Sequence, residues 1–131
     1  MNIYFLIAGI LSFLLGLVHS ILGEYLIFQK KREKGKIIPS KRSEGLRERH
    51  LRIIWATWHL ASVFGWCIGA ILIKIALGQS GLNADFVDFL IQSVICAMFT
   101  GALLVLMGTK GKHPGWIVLL MITILLIIGM V

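Results

Sequence analysis

The chain has 131 residues, a mean hydropathy of +0.91, 58% hydrophobic residues and only 15% charged ones. Soluble domains carry about a quarter charged residues, so this composition excludes an ordinary soluble domain, and the length allows one domain. The net charge is +7, and ten of the thirteen Lys and Arg residues fall between Lys30 and Arg52. A basic block between two apolar stretches favours a cytoplasmic loop over a nucleic-acid-binding surface, so no nucleic-acid partner is expected.

The first predicted membrane span covers residues 3–28. It is longer than the core of a signal peptide and has no A-x-A cleavage pattern, so we expect it to be retained. A helical wheel collects its small and polar residues in one arc: Gly9, Ser12, Gly16, His19, Ser20 and Gly23. Small residues let membrane helices approach closely, so this face is predicted to contact another helix. Glu24 flanks the arc.

Residues 29–50 form the predicted basic cytoplasmic loop, which we expect to lie on anionic lipid of the bilayer. Its last part, residues 43–52, contains a capping residue, Ser43, and a Glu48–Arg52 pair at i,i+4. These features predict that the second helix begins before the membrane.

The second predicted span covers residues 51–77. Polar and aromatic residues form one stripe of this helix: Glu48, Arg52, Trp55, His59, Ser62, Val63 and Trp66. Because imidazole and guanidinium groups are costly against lipid, this stripe is predicted to face protein. Trp58 points elsewhere on the wheel and is a predicted interfacial anchor.

The third and fourth spans cover residues 85–108 and 114–131. Asp85 and Asp88 suit the N-terminal end of the third helix, and Pro114 suits the first position of the fourth. Cys67 and Cys96 lie in apolar runs without zinc-ligand spacing. They are expected to be small buried core residues, with a disulfide between them as the alternative.

Charge sets the predicted orientation. Lys110 and Lys112 raise the basic residues of the first and third connections to twelve, whereas the second connection holds only Lys74. The positive-inside rule then places both termini outside. The other connections are short, so consecutive helices are expected to be antiparallel neighbours. The prediction is an all-α protein, a four-helix antiparallel transmembrane bundle forming a single domain over residues 1–131.

In this topology all four histidines lie in the cytoplasmic half of the bundle, and His50 is at the mouth of the second helix. His19, Glu24 and His59 are candidate metal ligands, and His113 is a weaker one. Imidazole with carboxylate suits zinc or iron, and two histidines from facing helices suit haem. The residues predicted to line the pocket are Ser20, Arg52, Trp55, Ser62, Trp66 and Trp116.

These residues are compatible with three functions. The leading one is a module that binds a metal ion or haem, and no nucleophile–base pair can be assigned for catalysis. The second is a proton-coupled transporter of small solutes that acts as a homodimer, because imidazole and carboxylate also relay protons. The third is a structural or assembly subunit, in which the histidines only hydrogen-bond across helices and Glu24 pairs with Arg52. A homo-oligomer is expected, since four short helices make a thin wall.

Two motifs carry a resemblance to a known group: HSILGE at residues 19–24 and RIIWATWHLAS at residues 52–62. They resemble motifs of small four-helix proteins of the bacterial inner membrane, which have a similar His-Ser…Gly-Glu in helix 1 and Arg…Trp-His-Leu in helix 2. The resemblance covers the first half of the chain best. It implies a multi-pass protein of the bacterial inner, or cytoplasmic, membrane and implies no particular chemistry.

Overall fold

A computed structural model describes residues 1–41, 45, 47–78 and 83–131, which contain four α-helices and no strand. Helix α1 covers Ile3–Gly23, α2 covers Glu48–Ala76, α3 covers Ala84–Thr109 and α4 covers Gly115–Met130. Each helix lies in one of the four apolar stretches of the sequence. The predicted all-α class is therefore confirmed over the described residues.

Within the described part of the chain, three helical segments are long and apolar enough to cross a membrane. They are Ile3–Lys31, Glu48–Ala76 and Ala84–Thr109, with hydropathies of 2.3, 1.7 and 2.3. Helix α4 has 16 residues, so it extends about 24 Å at 1.5 Å per residue. That is shorter than a bilayer core of roughly 30 Å.

Helix α1 continues beyond Gly23 in irregular form. A π turn covers Glu24–Phe28 and a 3-10 turn covers Gln29–Lys31. In the π turn the backbone N–H of Gln29 bonds the carbonyl of Glu24, five residues earlier. Such turns change the direction of the residues that follow, and they are frequent at functional sites. The chain then folds back, so that the N–H groups of Ser40 and Lys41 both donate to the Lys31 carbonyl.

Small residues form the contact between α1 and α2, as predicted for α1. A Cβ atom built on Gly9 would lie 2.9 Å from the Gly69 carbonyl oxygen, and one built on Gly69 would lie 2.8 Å from that of Gly9. The Ser12 hydroxyl donates to the Gly65 carbonyl at 2.9 Å. Residue numbers rise along α1 as they fall along α2. Only glycine lets the two backbones approach this closely.

The helices are arranged in the order α2, α1, α4, α3. Helix α1 packs against both α2 and α4, and α3 packs against α4. Among the described residues α2 and α3 form no packed pair, so the expectation that all consecutive helices are neighbours is wrong here. The reason is that α1 has two packing faces. Its glycines meet α2, and the buried Phe5 ring lies against Gly129 of α4.

Asn2 joins three helix ends. Its side-chain oxygen accepts the N–H groups of Tyr4 and Phe5 and so caps α1. Its side-chain nitrogen donates to the Gly129 carbonyl at 2.7 Å, and its backbone N–H donates to the Ala76 carbonyl at 2.9 Å. The start of α1 therefore lies beside the ends of α2 and α4.

Helix α2 begins at Glu48, and the predicted cap Ser43 lies outside the described residues. The predicted Glu48–Arg52 ion pair is present at 2.7 Å. Cys67 and Cys96 are free and exposed, so the expectation of buried core cysteines is wrong. Helices α2 and α3 stand at the two ends of the row and each packs on one side only. Most of their surface, including both thiols, therefore faces outward.

Candidate functional site

Polar side chains meet where the end of α1 and its irregular turns pass the first half of α2. We call this group the Glu24 cluster; its members are Ser20, Glu24, Arg32, Trp55 and His59. Ser20 and Glu24 are one helical turn apart and point to the same side. Trp55 and His59 have the same spacing on α2, so two pairs of neighbouring side chains face each other.

His59 contacts Ser20 of α1 and Glu24 of the π turn. Its Nδ1 atom lies 2.7 Å from the Ser20 hydroxyl oxygen, and its Nε2 atom lies 3.4 Å from Oε2 of Glu24. A carboxylate beside Nε2 favours the tautomer that carries its proton there. In that tautomer Nδ1 is the acceptor, and the Ser20 hydroxyl donates to it.

Glu24 has two further partners. The Trp55 indole N–H donates to Oε2 at 3.1 Å, and the Arg32 guanidinium forms an ion pair with Oε1. The side chains of Arg32, Glu24 and His59 are only 26%, 29% and 25% exposed. Charges held this far from water are screened less than surface charges.

Arg32 enters the cluster through the irregular turns. Beyond Gly23 the π turn and the 3-10 turn redirect the chain, so residue 32 lies over the carboxylate of residue 24. The Arg32 Nε atom is buried and has no hydrogen-bond partner within the described part of the chain. The pairing of Glu24 with Arg52, expected for a structural subunit, does not occur, because Arg52 pairs with Glu48 instead.

An open pocket of about 410 Å³ adjoins the cluster. Its lining combines four cluster residues with three others: Ser20, Glu24, Arg32 and His59, with Ile21, Tyr25 and Gln29. The pocket thus has a polar, charged wall beside apolar side chains. Its volume is within the range of sites for small ligands, roughly 300–1,000 Å³.

His19 contacts a different partner. Its ring stacks on Trp58 with centroids 4.2 Å apart and planes 7° apart. The Trp58 indole N–H donates to the His19 carbonyl at 2.9 Å. Gly23 leaves the space that this indole fills, since a Cβ there would overlap it. The prediction that Trp58 points away from the protein-facing side of α2 is therefore wrong, because Trp58 packs on α1; its role as an interfacial anchor stays a prediction.

His113 and Trp116 serve the turn between α3 and α4. The Nδ1 atom of His113 accepts the N–H of Gly115 at 3.0 Å, which caps the first turn of α4. The Trp116 indole N–H donates to the Gly111 carbonyl at 3.3 Å. Neither residue lines the pocket described above.

Ser62 and Trp66 lie farther along the α1–α2 contact. A Cβ on Gly16 would lie 2.8 Å from the Ser62 carbonyl oxygen and 2.8 Å from the indole nitrogen of Trp66. The Trp66 ring stacks on Phe13 at 6.0 Å. These two predicted lining residues therefore belong to helix packing, and Arg52 is half exposed beside Glu48. Of the predicted lining set, Ser20 lines the pocket and Trp55 holds Glu24.

A metal centre receives no support from this geometry. Of the four proposed ligands, Glu24 and His59 contact each other, while His19 and His113 have the partners given above. Over residues 1–41, 45, 47–78 and 83–131, no group of three or more His, Cys, Asp or Glu side chains is arranged to hold a metal ion. The metal or haem hypothesis stays a prediction.

Sequence reasoning missed two features of the site. Arg32 was one of ten basic residues in its block, and nothing in that block marked it as the partner of Glu24. The Ser20–His59 contact joins residues 39 positions apart, which periodicity on single helices does not pair. The small-residue arc of α1 was the available signal, since it marked Ser20 as facing another helix.

Comparisons with family models, with curated proteins and with solved structures found no match to this chain. Its function is therefore argued from the site itself.

Proposed function

We propose that this chain is a multi-pass protein of the bacterial inner membrane whose Glu24 cluster binds an anionic group in the cytoplasmic leaflet. The four helices would form an antiparallel, up-and-down bundle with both termini outside. The ligand is the phosphate or carboxylate of an amphiphile, and the site serves one side of the membrane.

Three observations support this topology. Asn2 bonds the ends of α2 and α4, which fits alternating helix directions. Residues 29–50, Lys110 and Lys112 then share one side of the membrane, in agreement with the positive-inside rule. The motifs at residues 19–24 and 52–62 resemble those of bacterial inner-membrane proteins.

The observation that carries the proposed ligand is the buried Nε–H of Arg32 beside an open pocket. A buried donor without a partner costs about 1–3 kcal/mol, and an anion entering the pocket would remove that cost. Guanidinium groups bind phosphate and carboxylate with paired hydrogen bonds. The anion would share Arg32 with Glu24, whose carboxylate also accepts the Trp55 indole N–H and lies beside His59.

The surroundings also favour an amphiphile. Exposed basic residues of the loop after α1 and of the start of α2 would raise the local concentration of anionic lipid, by up to about 1 kcal/mol for each charge. They are Lys30, Lys34, Lys36, Lys41, Arg47, Arg49 and Arg52. Ile21 and Tyr25 give the pocket an apolar side suited to the hydrocarbon part of such a ligand.

A one-sided site is favoured over transport by the packing beyond the cluster. From Gly16 to Gly9 the backbones of α1 and α2 lie too close for a solute to pass between them. The homodimeric transporter, the structural subunit and the metal or haem centre stay predictions, and no contact described above favours them over an anion site.

The test measures lipid binding to purified protein in detergent by native mass spectrometry. Dioleoyl-phosphatidylglycerol is compared with dioleoyl-phosphatidylcholine for wild type, Arg32→Gln and Lys74→Gln. Lys74 is exposed in the last turn of α2, at the other end of this helix from the basic loop, so its variant loses one positive charge outside the proposed site. We expect Arg32→Gln to weaken phosphatidylglycerol binding roughly tenfold, since a charged hydrogen bond contributes about 1.5–3 kcal/mol, and Lys74→Gln to change it little.

Inorganic phosphate separates the two sources of the anion. If millimolar phosphate displaces phosphatidylglycerol from wild type but leaves the residual binding of Arg32→Gln unchanged, the ligand is a soluble phosphate compound. If phosphate fails to compete, the ligand is the lipid. Equal loss of phosphatidylglycerol binding in Arg32→Gln and Lys74→Gln, or no loss in either, overturns the anion site.

A further inference from the structure

The contacts of His59 have the form of a nucleophile, a base and an orienting acid. We propose that Ser20, His59 and Glu24 hydrolyse a carboxylic ester of an anionic amphiphile held by Arg32. This inference rests on the proposed anion site and assigns a reaction to it.

The geometry gives each residue one role. The Ser20 hydroxyl lies 2.7 Å from His59 Nδ1, within the distance at which a base takes the proton of an attacking hydroxyl. Glu24 Oε2 lies 3.4 Å from the opposite ring nitrogen, which has no hydrogen-bond partner within the described residues. Catalytic hydrogen bonds are often long or poorly aligned before substrate binds, and a small rotation of this carboxylate would let it orient the ring and stabilise the imidazolium that forms. Such sets are recognised by their geometry and roles rather than by their order in the chain.

Access to the site fits this chemistry. Ser20, His59 and Glu24 all line the open pocket, so substrate and water reach the hydroxyl. Ser12, on the same helix, is 2% exposed and donates to the Gly65 carbonyl. Ser12 is therefore committed to packing, whereas Ser20 is placed for attack.

The proposed depth of the site in the membrane indicates the class of substrate. Interfacial aromatic residues mark the headgroup level of a bilayer, and Trp55 lies one helical turn before the base on α2. Ester groups of glycerolipids lie just beneath their phosphates. With the phosphate on Arg32, the ester carbonyl faces the polar wall and the acyl chain lies along Ile21 and Tyr25.

The first half of the reaction forms an acyl-enzyme. The Ser20 oxygen attacks the ester carbonyl carbon, its proton passes to His59 Nδ1, and the carbonyl π pair moves onto the carbonyl oxygen. When that pair returns, the bond to the alcohol oxygen breaks. The leaving alkoxide takes the proton from Nδ1, which releases the alcohol and leaves the acyl group on Ser20.

Water completes the cycle. It attacks the acyl carbon and gives one proton to Nδ1. The bond to Ser20 breaks and the serine oxygen recovers that proton. The products are a fatty acid and the deacylated alcohol, no electrons are transferred to or from the protein, and water is the only co-reactant.

The experiment uses wild-type protein in detergent with two probes. A fluorophosphonate reports covalent reaction at serine, and the modified residue is located by peptide mass spectrometry. Dihexanoyl-phosphatidylglycerol reports turnover through release of hexanoic acid. The variants are Ser20→Ala and His59→Asn, with Ser12→Ala as the matched control on the same helix.

We expect wild-type protein to be labelled at Ser20 and to release hexanoic acid. General base catalysis contributes roughly 10²–10⁴-fold. The rate of hexanoic acid release should therefore fall about a hundredfold or more in Ser20→Ala and in His59→Asn, while Ser12→Ala retains activity. Wild-type protein that carries no label at Ser20 and releases no acid overturns the proposed reaction, and this outcome does not depend on whether any variant folds.

Binding separates this inference from the anion site. Ser20→Ala keeps Arg32 and should bind dioleoyl-phosphatidylglycerol as wild type does. If Arg32→Gln alone loses the lipid and wild type shows no reaction, the anion site stands and the hydrolysis fails. If wild type is labelled and active while Arg32→Gln hydrolyses the substrate equally well, the reaction stands and Arg32 is not its anchor.

Discussion

Alanine at Gly69 should destabilise the protein, whereas alanine at Gly65, one turn away on the same helix, should not. A Cβ on Gly69 would lie 2.8 Å from the Gly9 carbonyl oxygen and 3.2 Å from the Phe13 backbone nitrogen. These are backbone atoms, so α1 must move away. The nearest atom to a Cβ on Gly65 is the Ser12 carbonyl oxygen at 3.5 Å, which is ordinary contact.

The two variants share one effect and differ in another. Replacing a helical glycine by alanine gains about 0.5–1 kcal/mol of helix stability, and this gain cancels between them. Overpacking costs about 1–3 kcal/mol and falls on Gly69→Ala alone. We therefore expect Gly69→Ala to be less stable than Gly65→Ala by about 1–3 kcal/mol.

The measurement is reversible unfolding in mixed micelles with increasing SDS, followed by tryptophan fluorescence. Free energies of unfolding are compared at one SDS mole fraction within the transition, which avoids long extrapolation. Equal stabilities for the two variants, or a less stable Gly65→Ala, would refute the close approach of α1 and α2 at Gly9. Gly108→Ala on α3, where no atom of the described chain lies within 4 Å of the added carbon, controls for the general effect of the substitution.

Other contacts give smaller expected changes in the same assay. Asn2→Ala removes the cap of α1 and the bond to the Gly129 carbonyl, so we expect a loss of about 1–2 kcal/mol, and no loss would contradict the joined helix ends. Trp58→Phe removes the bond to the His19 carbonyl and part of the stacking on its ring, so it should cost about 1 kcal/mol; Trp116→Phe, whose indole bond is longer at 3.3 Å, should cost less. Glu48→Gln breaks an exposed ion pair with Arg52 and should change stability by less than about 0.5 kcal/mol; a larger loss would indicate that this pair is part of the packed structure.

Periodicity and composition predicted much of this fold. Apolar stretches located the four helices because a membrane-type helix must be apolar over most of its length. The small residues of α1 predicted a close contact with another helix, and the structure identifies that helix as α2. Short connections did not predict the helix order, because a short connection limits distance and does not specify which faces pack.

Helix α2 shows why the predicted stripe was displaced. The protein-facing side of α2 was predicted from its polar and aromatic residues, so the prediction included Val63 and left out Trp58. In the structure Ser62 and Gly69 are buried, Trp58 packs on α1, and Val63 is 49% exposed. The packing face follows the small residues Gly65 and Gly69, as it does on α1, so size would have been the better guide on both helices.

The site was predictable only in part, for two physical reasons. Glu24 and His59 drew attention because ionisable groups in apolar helices need partners. Arg32 meets Glu24 through a π turn and a 3-10 turn that lie where the apolar stretch ends, so hydrophobic periodicity could not place it. Contacts between helices, such as that of Ser20 with His59, depend on the relative depth of two segments, which neither segment encodes alone.

Packing and chemistry are coupled at the α1–α2 contact. Ser20 belongs to one helix and His59 to the other, and the glycine pair at Gly9 and Gly69 sets how closely the two backbones lie farther along. Because each helix is a stiff rod, a carbon added at Gly69 should tilt or shift α2 at His59 as well. A displacement of α2 by about 1 Å relative to α1 would break the 2.7 Å contact of His59 with Ser20. Arg32 and Glu24 would remain paired, because both lie in or beside the turns that follow α1. Gly69→Ala should therefore impair fluorophosphonate labelling at Ser20 more than it impairs lipid binding, and impairment of both to the same degree would show that the cluster depends on α1 and α2 as one unit.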